Sequence, residues 1–304
     1  MYDVIIIGAG PAGYTAGIYC SRARHNTLLI SGILPGGQLM NTTDVENYPG
    51  FSDGIMGPEL MTVMRKQTEK MGTKIVDDEV TSVDFKTNPL KVKTASEEFD
   101  AKAVIVCTGA NPRKIGLDGE QTFAGKGVSY CATCDGAFFR DQELIVVGGG
   151  DSAMEEAIFL TKFASVVHIV HRKGEFRASK IMQDRVLGND KIEVLWNKEV
   201  TEIHGSGSVE SVSLSDTKDG SSSELNIDGV FMAIGHTPNV DFLDGLVELD
   251  EKGYVKTGFT TETSTSVPGV FAAGDVADSI YRQAVTAAGT GCQAAIDAER
   301  WLDH

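Results

Sequence analysis

Residues 4–13 read VIIIGAGPAG, and this stretch decides the fold of the N-terminal segment. The β-branched run from Val4 to Ile7 is typical of a strand that is buried on both faces of a parallel sheet. The GxGxxG glycines allow a tight turn and a close approach of a pyrophosphate to the start of a helix. A helical pattern follows to about Arg24. The stretch therefore predicts a strand, a turn and a helix that bind a dinucleotide.

The same arrangement occurs again further along the chain. Gly148 follows Gly8 by 140 residues, and the apolar run 144–147 leads into GGGDSA at 148–153, the GxGxxA variant of the motif. A helix is expected from Met154 to about Phe163. Two such units in one chain indicate two dinucleotide sites on two similar domains. The predicted fold class is therefore α/β, with two Rossmann-like, three-layer (ββα) dinucleotide-binding domains.

The residues after each second strand distinguish the nucleotides. An NAD site places Asp or Glu about 20 residues past its first glycine. After the second motif the apolar run 167–170 ends instead in HRK at 171–173, with Arg177 a turn further on. Cations at this position favour the 2′-phosphate of NADP, and the alternative is a solvated basic patch. After the first motif the run ends at Ser31, with neither a carboxylate nor a basic cluster, so its nucleotide stays undecided.

The sequence CATC at 131–134 forms a CxxC pair and is followed by Asp135. A zinc site needs two more ligands, and the sequence has no second CxxC and no HxxxH spacing. A redox pair fits better, because one thiol lowers the pKa of the other and an acid is needed to manage protons. We assign that proton role to Asp135, with a simple turn residue before Gly136 as the alternative.

The position of the cysteine pair has a mechanical consequence. Cys134 lies 14 residues before Gly148, so the pair belongs to the second nucleotide-binding domain. A disulfide reductase passes electrons from a nicotinamide to a flavin and then to the disulfide. If the disulfide and the nicotinamide share one domain, they do not both contact the flavin at the same time. The sequence therefore predicts a domain rotation, with hinges near 113–116 and 241–245.

Composition limits the remaining classes of function. The chain has 304 residues, 41% hydrophobic, which suits two packed domains and argues against disorder. It has no apolar run of about 20 residues and no basic N-terminal region of a signal peptide, so we expect a cytoplasmic protein without a membrane anchor. The net charge of −16 disfavours nucleic acid as a partner. Of the five cysteines, those outside the pair lie in apolar segments and are expected to be buried, inert thiols: Cys20, Cys107 and Cys292.

Taken together, the motifs resemble the low-molecular-weight (bacterial-type) thioredoxin reductases, class II of the pyridine nucleotide-disulfide oxidoreductases, from Tyr2 to Asp303. The matching pieces are GAGPAG (8–13), GGQL (36–39), VENYPG (45–50), CTG (107–109), CATCDG (131–136), GGGDSAMEEA (148–157), HRKGEFR (171–177), AIGHTPN (233–239), VPGVFAAGD (267–275) and YRQAVTAAGTGCQAA (281–295).

The resemblance implies FAD at the first motif and NADPH at the second. It implies an FAD-binding domain in two parts, 1–113 and 244–304, with an NADPH-binding domain inserted at 114–243. The implied FAD contacts are Gly8, Gly10, Ala12, Gly13, Ser31, Gly37, Gln38, Asn47, Val80, Thr108, Gly109, Gly274, Asp275, Arg282, Gln283 and Ala284. The implied NADPH contacts are Gly148, Gly150, Asp151, Ser152, Ala153, His171, Arg172, Lys173, Arg177, Ile234 and Gly235.

The implied activity is electron transfer from NADPH through FAD and the cysteine pair to oxidised thioredoxin, as a part of cell redox homeostasis. Cys134 would face the flavin, and Asp135 would handle its proton; which cysteine starts the exchange with thioredoxin is left open. Phe138 and Phe139 would form an exposed pair that docks thioredoxin, together with Lys126, which stands where the family often has Arg. A homodimer is implied, and no metal is expected.

Three alternatives stay open at this point. In the first alternative, the same enzyme reduces a different acceptor, such as a glutaredoxin-like protein, a peroxiredoxin partner or a low-molecular-weight disulfide. The second alternative is a thiol oxidase, in which electrons pass in the opposite direction, from thiols to oxygen. Such an enzyme would not need HRKGEFR at 171–177. A flavin-binding regulatory protein without turnover is the third, and it would need neither an intact CxxC with its acid nor an NADP site.

Overall fold

The computed structural model describes residues 1–33 and 35–303. The chain forms two compact units: the first consists of Met1–Asn111 and Thr237–His304, and the second of Pro112–His236. Each unit is built on a sheet with parallel strands, and the predicted α/β class is confirmed. In the described residues no helix is both long enough and apolar enough to cross a membrane.

Nineteen strands lie in the described residues. The first nine are β1 (Tyr2–Ile7), β2 (Thr27–Ile30), β3 (Asp44–Val45), β4 (Ile55–Met56), β5 (Lys74–Val76), β6 (Val80–Asp84), β7 (Leu90–Thr94), β8 (Glu98–Val106) and β9 (Ala110–Pro112). The others are β10 (Val128–Ser129), β11 (Glu143–Val147), β12 (Val166–His171), β13 (Ile192–Trp196), β14 (Lys198–His204), β15 (Ser211–Asp216), β16 (Ser222–Asn226), β17 (Gly229–Met232), β18 (His236–Pro238) and β19 (Val270–Ala272).

Seven α-helices lie in the same residues. They are α1 (Pro11–Arg22), α2 (Gly57–Met71), α3 (Asp118–Thr122), α4 (Ala132–Asp135), α5 (Asp151–Leu160), α6 (Lys180–Leu187) and α7 (Ala284–Leu302). Short 3-10 turns cover Gly37–Asn41, Gly136–Phe138, Asp241–Leu243 and Gly274–Val276. The helix expected to reach Arg24 ends at Arg22, because Arg24 itself adopts a left-handed conformation with φ 67°. Helix α5, which was expected to start at Met154, begins three residues earlier, at Asp151.

The first unit has a sheet in the order β5-β2-β1-β8-β7-β6, and β19 also pairs with β8. β1 lies between β2 and β8, parallel to both, and the side chains of Val4 to Ile7 are buried. This confirms the strand predicted from the β-branched run. Helices α1 and α7 pack on one face of the sheet, where Tyr14 and Ala294 belong to the same core cluster as Ile6 and Ile105.

The second unit has three layers. A parallel sheet in the order β10-β17-β11-β12-β13 forms the middle layer. On one face, Met154, Ala157 and Leu160 of α5 pack against β11 and β12. On the other face, the antiparallel β14-β15-β16 sheet contributes Val200 and Leu214 to a second cluster. This is the three-layer (ββα) arrangement of the predicted fold class.

The contact between α1 and α7 depends on glycine. A Cβ at Gly291 would lie 2.2 Å from the carbonyl oxygen of Ala12, whereas nothing lies within 4 Å of the Cβ position at Gly289. We expect Gly291→Ala to lower the free energy of unfolding by about 1–3 kcal/mol, because the helices must move apart. Gly289→Ala, the control in the same helix, should raise it by about 0.5–1 kcal/mol. Urea unfolding followed by circular dichroism measures both, and equal effects of the two changes would contradict this packing.

Candidate active site

The first glycine motif follows β1 directly. A Cβ at Gly8, whose φ is 106°, would lie 2.3 Å from the carbonyl oxygen of Cys107, and one at Gly13 would lie 1.9 Å from that of Gly8. At Gly10 nothing lies within 4 Å of the Cβ position. No side chain caps the start of α1, and its first turn has no acidic residue. Two glycines are therefore needed for packing, while the middle one borders open space where a pyrophosphate fits the helix N-terminus.

Two other sequence segments of the first unit reach this motif. The amide of Gly36 donates to the carbonyl of Ala9 at 3.0 Å, and the Cβ position of Gly37 lies 3.7 Å from the Cα of Gly10. Gly274, with φ 75°, has its Cβ position 2.9 Å from the Cβ of Ala12. The structure thus brings the GGQL and GD motifs to the glycine loop, as a site for one extended dinucleotide requires.

Asp275 stands at this site with a shifted pKa. Burial and, to a smaller extent, the nearby charge of Asp278 raise the pKa of its carboxyl to about 6, and the cation of Arg282 opposes the shift. Arg282 adopts φ 48°, and its guanidinium donates to the carbonyl of Ser279 at 2.8 Å. Helix α7 begins right after this segment, where Gln283 is the N-cap and forms a capping box with Thr286. The 3-10 turn that carries Asp275 packs against α7, nine residues before the start of that helix.

A polar network joins three of the expected FAD contacts. Thr108 exchanges two hydrogen bonds with Asn239, and the amide of Asn239 donates to the carbonyl of Gly109 at 3.0 Å. The side chain of Gln38 donates to Asn111 at 2.7 Å, and Asn111 donates to Asn239 at 2.9 Å. We did not assign Asn111 or Asn239 from the sequence. Asn239 ends the AIGHTPN motif, which was a usable signal, whereas no motif pointed to Asn111.

Ser31 is buried and is hydrogen-bonded to the carboxylate of Asp77, a residue that the sequence did not point to. Its hydroxyl donates to Asp77 at 2.8 Å, and Arg65 binds the same carboxylate through two nitrogens at 2.8 and 3.0 Å. The hydrogen bond from Arg65 lowers the pKa of Asp77. A cavity of about 500 Å³ opens here, lined by Gly32, Ile33, Pro35, Asp77, Asp78, Glu79 and Ala95. Asp77, directly after β5, thus places a carboxylate beside Ser31, with Arg65 as its counterion. Val80, at the start of β6, is half-buried, and Asn47, after β3, is exposed.

The second glycine motif repeats the packing of the first. A Cβ at Gly148 would lie 2.6 Å from the carbonyl oxygen of Ala233, and Ala153 is fully buried. The Cβ position of Gly149 lies 2.2 Å from the ring of His171. Gly150 again has nothing within 4 Å. The second unit therefore also offers open space at a helix N-terminus, that of α5.

The basic segment is fixed to this glycine loop. The amide of Arg177 donates to the carbonyl of Gly149 at 2.8 Å, and Ser179 donates twice to Asp151 at 2.7 and 2.9 Å. The side chains of Arg172, Lys173 and Arg177 are exposed. Exposed cations beside the glycine loop are what a 2′-phosphate requires. Ser152 is exposed, and Ile234 and Gly235 are half-buried at the end of β17.

His171 differs from the cations with which the sequence groups it. It is buried, packs against Phe176 and Trp196, and one ring nitrogen bonds the carbonyl of Glu175 at 2.9 Å. Burial lowers its pKa, and the cations of Arg177 and Arg172 lower it further. A neutral ring in this place supports the glycine loop by packing and does not add a charge.

The cysteine pair is closed as a disulfide, with the Cα atoms of Cys131 and Cys134 5.3 Å apart. The amide of Cys134, which is exposed, donates to the Sγ atom of Cys131 at 3.2 Å. The carboxyl of Asp135 accepts a hydrogen bond from the hydroxyl of Ser129 at 2.6 Å. Burial raises the pKa of Asp135, and the bond from Ser129 opposes that shift. A carboxyl with a raised pKa next to a disulfide is suited to hold and deliver a proton.

Of the two phenylalanines that were expected to be exposed, Phe138 is exposed and Phe139 is half-buried. Phe138 is 45% exposed, but Phe139 packs edge-on against Phe231, with ring centroids 5.3 Å apart. The 3-10 turn ends at Phe138, so the next side chain returns to the core. Lys126 is exposed.

The other cysteines are not part of the site. Cys20 and Cys107 are buried as expected, and burial raises the pKa of the Cys20 thiol to about 12. Cys292 is only half-buried, so the expectation of a fully buried thiol is wrong there. Among the residues described, no group of three or more His, Cys, Asp or Glu side chains is placed to hold a metal ion.

Two glycine loops for dinucleotides, a cationic segment and a disulfide followed by a carboxyl with a raised pKa define a nucleotide-dependent disulfide oxidoreductase. The chain belongs to the pyridine nucleotide-disulphide oxidoreductase family, which matches residues 2–291. It is accordingly a flavoprotein oxidoreductase that uses FAD and NADPH, and the predicted cofactors are confirmed.

Individual relatives extend this result over the whole chain. A thioredoxin reductase of Streptomyces clavuligerus is 54% identical over 303 residues, which cover 99% of this chain and 94% of the relative. The solved thioredoxin reductase from Giardia duodenalis is 45% identical, with a TM-score of 0.95, and covers 100% of this chain and 99% of that one. That of Lactococcus lactis, in its FR conformation, is 42% identical with the same coverage, but its TM-score is 0.67. The predicted resemblance is confirmed.

Proposed function

We propose that the chain is a thioredoxin-disulfide reductase. Two electrons pass from NADPH through FAD to the Cys131–Cys134 disulfide, and the resulting dithiol reduces oxidised thioredoxin. The observation that carries the proposal is the disulfide beside Asp135, in the same unit as the basic segment and the second glycine loop. The names of the relatives over nearly the full chain support thioredoxin as the acceptor.

The two cofactors are assigned to separate domains. FAD belongs to 1–113 with 244–304, where the open position at Gly10 lies beside the GGQL and GD motifs. NADPH belongs to 114–243, where Gly150 borders open space and Arg177 is tied to the glycine loop. FAD, when bound, supplies two-electron transfer between the nicotinamide and the disulfide.

Residues of the second unit protonate or stabilise the two sulfur atoms that disulfide cleavage produces. Two electrons break the S–S bond and leave two sulfur anions, each of which accepts a proton or a hydrogen bond. Cys134 is assigned as the sulfur that faces the flavin, and Asp135 delivers its proton. The amide of Cys134, already 3.2 Å from the Sγ of Cys131, stabilises negative charge on that atom. One thiolate then attacks the disulfide of thioredoxin, and the other resolves the mixed disulfide.

A rotation of one domain between the half-reactions follows from this assignment. The disulfide and the NADPH segment share one unit, so only one of them reaches the flavin at a time. The hinges are expected near 113–116 and 241–245.

The assay that tests the function follows NADPH oxidation in the presence of oxidised thioredoxin. We expect consumption that depends on thioredoxin and is lost in Cys134→Ser, while the flavin of that variant is still reduced by NADPH. A glutaredoxin-like protein, a low-molecular-weight disulfide and oxygen replace thioredoxin in parallel reactions. Faster turnover with any of these than with thioredoxin would contradict the proposal.

The number of electron acceptors is a second test. The purified protein should be yellow with FAD, and anaerobic photometric titration should show two two-electron acceptors per chain, the flavin and the disulfide. Cys131→Ser with Cys134→Ser should show only one. A colourless protein that FAD cannot reconstitute would rule out the cofactor assignment.

The partners and the location rest on the resemblance. We propose that Phe138 and Lys126, both exposed, contact thioredoxin together with the half-buried Phe139. We also propose a homodimer in the cytoplasm. Sedimentation of the FAD-loaded protein decides the oligomeric state.

A further inference from the structure

Ser129 lies two residues before the first cysteine, and the function described above gives it no role. It is 3% exposed and stands on β10, where it is paired with Phe231 of β17. Its hydroxyl lies 2.6 Å from Oδ2 of Asp135 and accepts the amide proton of Cys131 at 3.1 Å. One hydroxyl therefore contacts both ends of the Cys131–Asp135 segment.

The direction of these bonds follows from the chemistry of a hydroxyl. Ser129 has a single proton to donate and two lone pairs that accept. The carbonyl of Cys131 lies 3.4 Å away, beyond the usual hydrogen-bond range, whereas 2.6 Å to Asp135 is a short contact typical of a bond to a carboxylate. The proton therefore goes to Asp135, and a lone pair receives the amide of Cys131.

The two ends that Ser129 joins differ in how firmly they are held. Ser129 sits in a parallel sheet, while Cys131–Asp135 is a single helical turn whose cysteines are tied by the disulfide. When the disulfide opens, this turn loses its covalent closure. The two bonds of Ser129 then connect the turn to the sheet.

We propose that Ser129 is a positioning residue that holds the carboxyl of Asp135 and the amide of Cys131 in one arrangement while the disulfide opens and closes. The inference deepens the proposed function and rests on it. It requires no group beyond those of the second unit, because every bond that carries it lies between Ser129 and residues 131–135.

The surroundings of Asp135 make its titration a suitable readout. Burial raises its pKa and the hydroxyl of Ser129 lowers it. The helix packed against α4 is α5, and its titratable groups are Asp151, Glu155 and Glu156. On the strand side, Tyr130 donates to Glu120 at 3.1 Å. Because the hydroxyl of Ser129 stabilises the ionised form of Asp135, its removal should raise the pKa of Asp135.

The test compares Ser129→Ala and Ser129→Thr with the unchanged FAD-loaded protein. A stopped-flow measurement gives the rate at which the reduced flavin passes electrons to the disulfide, as a function of pH. We expect Ser129→Ala to lower the limiting rate about 10-fold, less than loss of the acid itself, and to move the pH midpoint upward. Ser129→Thr keeps the hydroxyl and should restore both. Reduction of the flavin by NADPH and the thermal midpoint serve as controls for folding.

The outcomes separate this inference from the proposed function. Infrared detection of the protonated Asp135 carboxyl in the oxidised protein reports its titration without any electron transfer, and Asp135→Asn identifies the band. An unchanged midpoint in Ser129→Ala, or equal slowing of flavin reduction and flavin–disulfide transfer, would overturn the positioning role. Absence of any flavin–disulfide transfer in the unchanged protein would instead reject the proposed function, while an upward carboxyl titration in Ser129→Ala would still support the contact.

Discussion

Replacement of both Arg172 and Arg177 by alanine is expected to lower the preference for NADPH over NADH about 10²–10⁴-fold. Both side chains are exposed, and the amide of Arg177 is tied to Gly149 in the glycine loop. A hydrogen bond to a charged group contributes about 1.5–3 kcal/mol, so two of them account for this range. NADH lacks the 2′-phosphate, and its kcat/KM should therefore change little. Steady-state kcat/KM for both nucleotides gives the ratio.

A matched control removes two other cations from the same unit. Arg140 and Lys162 lie over the rings of Phe163 and Phe159, beside the C-terminal end of α5, whereas the glycine loop is at its N-terminal end. Arg140→Ala with Lys162→Ala changes the net charge equally and should leave the preference for NADPH unchanged. If the Arg172 and Arg177 changes also leave it unchanged, the segment is a solvated basic patch, the alternative reading of HRKGEFR.

Asp135→Asn is expected to slow the transfer from flavin to disulfide about 10²–10⁴-fold, the usual contribution of a general acid or base. Asparagine keeps the shape and accepts the hydrogen bond of Ser129, but it carries no proton to deliver. The reduction of the flavin by NADPH does not involve this carboxyl and should keep its rate. Stopped-flow absorbance of the flavin resolves the two steps.

Asp141 provides the control for this change. It is exposed in the same unit and has φ 58°, a conformation that asparagine tolerates well. Asp141→Asn therefore removes the same charge without disturbing the backbone, and both steps should proceed normally. Equal slowing of both steps in Asp135→Asn would show that Asp135 supports the fold of the unit and not the proton transfer.

The parts of the molecule that the sequence predicted are those with a local cause. A β-branched run followed by spaced glycines has few ways to fold, so β1, α1 and the second copy of the unit at 144–160 follow from short windows. The cysteine pair and its acid were also found, because CxxC followed by Asp carries chemistry within a few residues. These features need no knowledge of distant contacts.

The residues that the sequence missed depend on partners far away in the chain. Asp77 meets Ser31 from 46 positions further on, and Asn239 meets Thr108 from 131 positions further on. No spacing rule connects such pairs, because they are brought together by the order of strands in the sheet. The burial of His171 and the partial burial of Phe139 have a related cause. Each lies next to exposed residues in the sequence, but it packs against an aromatic ring that is distant in the chain, Trp196 for His171 and Phe231 for Phe139.

The division of the chain into two units also sets an order of folding during synthesis. The second unit is continuous, so all of its strands are present once residue 236 has left the ribosome. The first unit is incomplete at that moment, because β19 and α7, which pack on β8 and α1, have not yet been made. Domains fold as units and early segments fold first during synthesis. The first unit therefore completes its fold only after its last segment has been made. Until then, the part of β8 that pairs with β19 and the face of α1 that packs against α7 remain uncovered.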